Sequence, residues 1–220
     1  MSNNSSSQSL HDHLGEGLKA LGVGLTDQQQ SSLIDFVFLL IKWNKVYNLT
    51  AIRDPLKVLD RHILDSLSVL PYLNGNRLID IGAGAGLPGI PLAIALTEHR
   101  FVLLDSNRKK TRFMQQAKAE LALNNIFVVH SRVENYEPDQ LFDAVISRAF
   151  ASLKKMAQWS SHLVNENGVL YAMKGSYPEQ EISELANSFE IKAVHKIEYP
   201  GLDADRYLLE IMLPKSQNQN

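Results

Sequence analysis

The chain has 220 residues, 45% of them apolar, which suffices for one α/β domain with a small addition and hardly for two. It contains no cysteine, which excludes disulfides, thiolate metal sites and every route through a thiol nucleophile, the covalent route to pyrimidine ring carbons included. The net charge of −2 argues against indiscriminate nucleic-acid binding. No apolar run reaches the roughly eighteen residues of a membrane span, because Asp35 and Lys42 interrupt 33–43. Residues 1–9 lack the basic and apolar regions of a secretion signal. A cytoplasmic protein is expected, with no membrane partner, a monomer favoured, and disordered tails at 1–9 and 215–220.

Leu10, Leu14, Leu18 and Leu21 recur at helical spacing and predict an amphipathic helix that stops near Gly22 and Gly24. Thr26 and Gln29 make a capping-box pattern that opens a second helix, with Leu33, Ile34, Phe36, Val37, Leu40, Ile41 and Trp43 turned inward. Residues 43–50, WNKVYNLT, are too polar and aromatic for a plain linker. Asp54 and Pro55 start another helix as cap and first residue, and its pattern continues through 61–70 to stop by Pro71. An N-terminal helical extension over 10–75 thus precedes the first strand.

From 76 to 214 the pattern alternates. Strands are expected at 77–81, 101–105, 126–130, 143–147 and 168–173, with helices at 88–97, 107–123, 152–164 and 178–187. Such repetition means a parallel sheet with right-handed helical crossovers. The last two strand-like runs, 191–199 and 207–213, are joined by a turn too short for a crossover and should pair as an antiparallel hairpin.

Residues 77–96, RLIDIGAGAGLPGIPLAIAL, read as strand, glycine turn and buried helix, the arrangement that grips a nucleotide-like ligand. Two ligands compete for it. From Gly84 the residues GAGLPG fit the dinucleotide fingerprint, with Asp105 placed to hold a ribose. From Asp80 the pattern is DxGxGxG, in which a carboxylate precedes the glycines. That carboxylate suits the ammonium and sulfonium of S-adenosylmethionine (SAM) and would repel a pyrophosphate. The closing hairpin favours SAM as well, since dinucleotide dehydrogenases usually continue in parallel. The expected fold class is therefore α/β: a Rossmann-like class I SAM-dependent methyltransferase fold, mostly parallel, closed by the C-terminal hairpin. An NAD-binding oxidoreductase and a non-catalytic SAM-binding protein remain the alternatives.

Ligands of such sheets lie across the carboxyl ends of the strands. The candidates there are Gly82 and Gly84 in the turn, and Asp105 for the ribose or, alternatively, as a helix cap. The backbone at Val133 and Glu134, with the Glu134 side chain, is placed to meet the adenine. Arg148 offers a fork of donors, unless a salt bridge to Asp80 or Glu134 occupies it. Lys174 puts another cation at the rim, and His62 is a candidate to face the site. The tip at 145–150 lacks an Asn/Asp-Pro-Pro-aromatic motif for amines and an Asp for magnesium, Asp143 lying at the wrong end. The histidines lack metal-ligand spacing, no hydrolase motif is present, and no metal is expected. Two basic clusters, Lys42 to Arg61 and Arg108, Lys109, Lys110 and Arg112, suit a phosphate-bearing partner.

Several segments together resemble the RsmG (GidB) family of small-subunit ribosomal RNA methyltransferases, over about 33–175. The likeness rests on WNKxxNLT (43–50), HILDSL (62–67), DIGAGAGLPGIP (80–91), LDSNRKK (104–110), RVE (132–134), SRA (147–149) and KG (174–175). The resemblance implies SAM as cofactor, contacted by Gly82, Leu87, Val133, Glu134 and Arg148, and N7 of a guanine in 16S ribosomal RNA of the small subunit as acceptor. Val133 departs from the alanine expected in that family, which a backbone contact tolerates. For RNA, residues 27–75 and Arg108 to Arg112 are the candidates, with His62 and Lys174 at the rim.

Overall fold

The computed structural model describes residues 2–148, 150, 152–185, 189–198 and 205–214, with the backbone alone for 2–6. Helix α1 (Ser2–Leu21) begins eight residues before the expected start, so 2–9 continue the helix rather than fray, and Gln8 bonds Asp12 one turn on at 2.9 Å. Residues 1 and 215–220 lie outside the described residues.

Helix α2 (Asp27–Tyr47) opens on the full capping box: the Thr26 side chain accepts from the Gln29 N–H and the Gln29 side chain from the Thr26 N–H. It ends on Asn48 in the left-handed region, φ 49°. Buried Asn44 then holds the following loop, accepting from the Thr50 N–H at 2.9 Å and donating to the Ile52 carbonyl at 3.2 Å. That explains why 43–50 is not linker-like.

Helix α3 (Pro55–Val58) is capped by Asp54 through the Lys57 N–H at 3.0 Å. The expected continuous α-helix does not follow. The chain widens into a π-helical turn (Leu59–Leu64), where the Asp65 N–H reaches the Asp60 carbonyl, then forms α4 (Asp65–Leu67) and a 3-10 turn (Leu70–Tyr72). Leu59, Ile63, Leu64 and Leu67 are buried either way, so apolar spacing could not distinguish the two.

The remaining elements are β1 (Arg77–Ile81), α5 (Gly89–Ala95), β2 (Arg100–Asp105), α6 (Arg108–Glu120), β3 (Ile126–His130), β4 (Phe142–Arg148), α7 (Leu153–Ser160), β5 (Val164–Lys174), α8 (Glu179–Leu185), β6 (Glu190–Ile197) and β7 (Arg206–Met212). The strands form one sheet in the order β3-β2-β1-β4-β5-β7-β6, parallel except that β7 runs antiparallel to both β5 and β6. The hairpin is therefore as expected, although its turn lies outside the described residues. Strand β5 starts earlier than 168 because Val164 already pairs Phe142 before the register shifts.

Alternation along the strands makes two cores. Leu78, Phe101 and Leu103 face α5, α6 and the N-terminal helices, sharing a cluster with Leu14, Phe36, Leu40 and Ile90. Ile79, Ile81, Val102 and Leu104 face the other way, toward Leu153 and Met156 of α7 and Leu185 of α8. Strand order reverses at β1, between β2 and β4, so the crevice of the sheet opens at the carboxyl ends of β1 and β4.

Candidate active site

The turn after β1 carries Gly82, Gly84 and Gly86 at φ +67°, +60° and +75°, a region that L side chains rarely adopt. Their surroundings divide them. A Cβ on Gly82 or Gly84 would find nothing nearer than 3.8 Å, so these two line open space. A Cβ on Gly86 would strike Ile90, and one on Gly89 would strike Leu103 and Asp80, so those two are small for packing. The cradle that a side chain would fill is therefore at Gly82 and Gly84.

Asp80 lies beneath this turn, 0% exposed, rather than beside it. Its Oδ2 accepts from the Gly89 N–H at 2.8 Å, while Oδ1 has no hydrogen-bond partner among the described residues. Burial pushes the carboxyl up to about 7 against the pull of the Gly89 bond and the Arg148 charge. A buried carboxylate with one oxygen unanswered suits a positively charged ligand above it.

Asp105, at the tip of β2, already accepts two main-chain bonds, from the Gly84 N–H at 2.8 Å and from the Asn107 N–H at 2.7 Å. It locks the glycine turn to the next strand, and the remaining lone pairs are what it can offer a ribose. The cap of α6 is Asn107, not Asp105. Leu87 is 5% exposed in the core under the turn, so the crevice meets its backbone. Val133 is likewise buried and opens a 3-10 turn (Val133–Asn135), whose leading N–H groups have no acceptor within the turn. Glu134 is exposed, with Arg132 3.8 Å away.

Next to this crevice a cleft of about 480 Å³ separates the π-helical turn from the tips of β4 and β5. Arg148 lines it, and its ion-pair partner is neither Asp80 nor Glu134. Its Nη1 donates to Asp65 Oδ2 at 3.1 Å and to the Arg61 carbonyl at 3.3 Å, while Arg206 Nε donates to Asp65 Oδ1 at 2.7 Å. The Arg148 charge lowers the pKa of both the Asp80 carboxyl and the His62 imidazole.

His62 faces the cleft with both ring nitrogens engaged. Nδ1 lies 2.9 Å from the Arg61 carbonyl, which can only accept, so Nδ1 carries the proton and Nε2 accepts from Thr50 Oγ1 at 2.7 Å. Burial, then the Arg148 charge, push the imidazole down to about 4 and keep it neutral. Lys174 lines the cleft too, but Glu181 takes its ammonium with both oxygens, at 2.8 and 3.0 Å, so it is held within the protein rather than extended to the rim. Arg108, Lys109 and Arg112 are exposed on the first turns of α6, beside the crevice and apart from the cleft.

Sequence reading missed Asp65, Arg206, Phe150 and Glu181. Asp65 sits three residues after His62 within HILDSL (62–67), which was a signal; Arg206 lies in the hairpin and had none. A larger cleft, about 890 Å³, opens at the opposite ends of the strands. Gln29 and Asn125, which line it, spend their amides on the carbonyls that end α5.

The sheet order, the closing hairpin and the open glycine turn define a class: this is the SAM-dependent methyltransferase fold. A solved SAM-dependent methyltransferase from Aquifex aeolicus superposes with a TM-score of 0.58 over 78% of this chain and 97% of that one, at 16% identity. The glycopeptide N-methyltransferase MtfA, solved with SAM, gives 0.59 over 70% and 87%, at 11% identity. The family model GidB, rRNA small subunit methyltransferase G, matches residues 29–209. Ribosomal RNA small subunit methyltransferase G of Hahella chejuensis is 51% identical over 200 residues, 91% of this chain and 92% of that protein. The protein of that name from Escherichia coli K12 is 52% identical over 198 residues, 90% and 96%. The chain belongs to the GidB family of rRNA small subunit methyltransferase G.

Proposed function

We propose that this protein transfers a methyl group from SAM to N7 of a guanine in 16S ribosomal RNA, in the cytoplasm where small subunits mature. The observation that carries the reading is the open cradle at Gly82 and Gly84, with the buried Asp80 carboxylate at the strand end that leads into it, set beside a cleft that holds neither a thiol nor an available base. When bound, SAM supplies an electrophilic methyl, whose bond to sulfur breaks with the electron pair returning to sulfur as the guanine N7 lone pair forms the new bond.

N7 carries an in-plane lone pair and no proton, so the protein has no proton to remove. Positioning can then supply much of the rate, up to about 7–11 kcal/mol for near-attack geometry. The side chains in the cleft accord with that: His62 is neutral with both nitrogens engaged, and Lys174 is paired. Gly82, Gly84, the backbone of Leu87 and Val133, Asp105, Glu134 and Arg148 hold the donor in this reading. The base enters beside His62 and Arg148.

In duplex RNA the N7 edge lies in a groove too deep and narrow for side chains, so the acceptor is an unpaired or extruded guanine. Arg108, Lys109 and Arg112 begin a helix whose N-terminal dipole disfavours cations, an arrangement that an anionic backbone would relieve. Ribosomal RNA from cells with and without this gene, digested and mapped by mass spectrometry, should differ by one 7-methylguanosine in 16S RNA. The purified protein with SAM should restore it. Identical maps would refute the proposal.

A further inference from the structure

Asp65 is 2% exposed, and each of its oxygens takes a different guanidinium. The three residues come from the helical extension, the tip of β4 and the start of β7. A buried carboxylate bridged to two cations is a weak device for stability, since desolvation offsets most of the attraction. It is a strong device for geometry, because it fixes two planar forks relative to each other.

Phe150 lines the same cleft. Its ring comes within 3.8 Å of where a Cβ on Gly82 would stand, so it borders the donor cradle as well. Trp159 meets it edge-on at 5.8 Å and 79°, which sets the orientation of the ring.

We propose that Asp65 is a positioning residue for methyl transfer: it fixes Arg148 at the donor seat and aligns Arg206 as a donor to the O6 edge of the acceptor guanine, which stacks on Phe150. This inference rests on the function proposed above. Arginine is the side chain whose fork matches that edge of guanine, and with N7 turned toward the methyl group O6 is the acceptor left for it. Alkylation at N7 turns a neutral ring into a cation. Two guanidinium groups alone would oppose that charge, and neutral His62 adds none. The Asp65 carboxylate cancels one of these two charges and so lessens that opposition.

Three variants of the full chain test this, with 16S RNA from cells lacking the gene as acceptor. Asp65→Asn keeps the shape and removes the charge; kcat should fall about 100-fold, as for loss of a preorganised electrostatic partner. Arg206→Lys keeps the charge and removes the fork, and Phe150→Leu removes the stacking face; each should raise KM for RNA about tenfold. SAM affinity measured by calorimetry should stay within about threefold for Arg206→Lys, and all three variants should keep a cooperative melt, which misfolding would not allow. Should Asp65→Asn fail to fold, Phe150→Leu and Arg206→Lys decide. In a second readout, RNA carrying 6-thioguanosine should photocrosslink to the peptides holding Phe150 or Arg206. Wild-type kcat and KM in the folded variants, or crosslinks confined to 108–112, would overturn the inference while methylation itself stands. A wild-type protein that forms no methylguanosine on this RNA would overturn the parent reading and this one with it.

Discussion

Gly82 and Gly84 face open space while Gly86 and Gly89 face packed side chains, so one turn contains two kinds of glycine whose substitution should differ in what it damages. Gly84→Val should lose about 1–2 kcal/mol to left-handed strain and fill the cradle, abolishing SAM binding in calorimetry while a cooperative melt survives. Gly89→Ala keeps the N–H that Asp80 accepts from but presses a methyl against Leu103 and Asp80, and should lose about 1–3 kcal/mol in urea unfolding through overpacking. Asp80 itself gives a pH dependence. Below its pKa of about 7 the carboxyl is protonated, and a cationic ligand favours the ionised form, so binding must expel a proton. Affinity for SAM should then climb about tenfold per pH unit up to neutrality and level off above it. Calorimetry in two buffers of different ionisation heat would show the released proton, and Asp80→Asn should flatten the profile. The glycines and Asp80 were legible because they are neighbours in one short stretch. Asp65 and Arg206 are 141 residues apart, and no local spacing joins them.

The π-helical turn Leu59–Leu64 is the element that sequence periodicity misread, and it presents His62 to the cleft and leads directly into Asp65 at the start of α4. Caps, by contrast, were readable: Thr26 with Gln29 and Asp54 with Pro55 use side chains within three residues of the bonds they make. An extra residue in a turn leaves no such local mark, since the apolar positions are buried in either winding. His62 makes the turn testable by acid. Its imidazole is held at about 4 against 6.5 in the unfolded chain, so the unfolded state takes up the proton first and stability is lost as pH falls from about 6.5 through 4. Asp80 runs oppositely: its raised pKa means stability is lost as pH rises from about 3.8 through 7. The two slopes oppose each other over the shared range. Urea unfolding at several pH values should therefore show the stability of His62→Gln, relative to the wild-type chain, worsening as pH rises from about 4 to 6.5.

Across the molecule the cations stand on two sides of the crevice, Arg108, Lys109 and Arg112 at the start of α6 and Arg61, Arg148 and Arg206 around the cleft. A net charge of −2 hides this, because the acidic residues collect elsewhere in the chain. Binding to 16S RNA should weaken steeply with salt. Replacing Arg108, Lys109 and Arg112 by glutamine should flatten the log–log slope by about 2, at roughly 0.7 per phosphate contact on single strands, as read by filter binding over a salt series. An unchanged slope would remove these residues from the RNA interface. The parallel sheet and the hairpin were visible in the alternation of the sequence, whereas the strand order and the way the first helices share a core with α5 were not, because contacts between distant segments leave no period.

The Gln29 amide, which caps α2 on one side, also holds the carbonyls of Ile94 and Ala95 at 2.9 and 3.0 Å, and so clasps the far end of the helix that follows the glycine turn. Helix α2 is thereby bolted to the helix that follows the glycine turn, and the segment carrying His62 and Asp65 packs into the same core through Leu59, Ile63 and Leu64. Donor seat and acceptor seat keep a fixed spacing, like jaws machined from one block. On the proposed reaction the journey falls to the nucleotide, and selecting a guanine becomes a choice among bases that ribosomal RNA can swing out far enough to arrive.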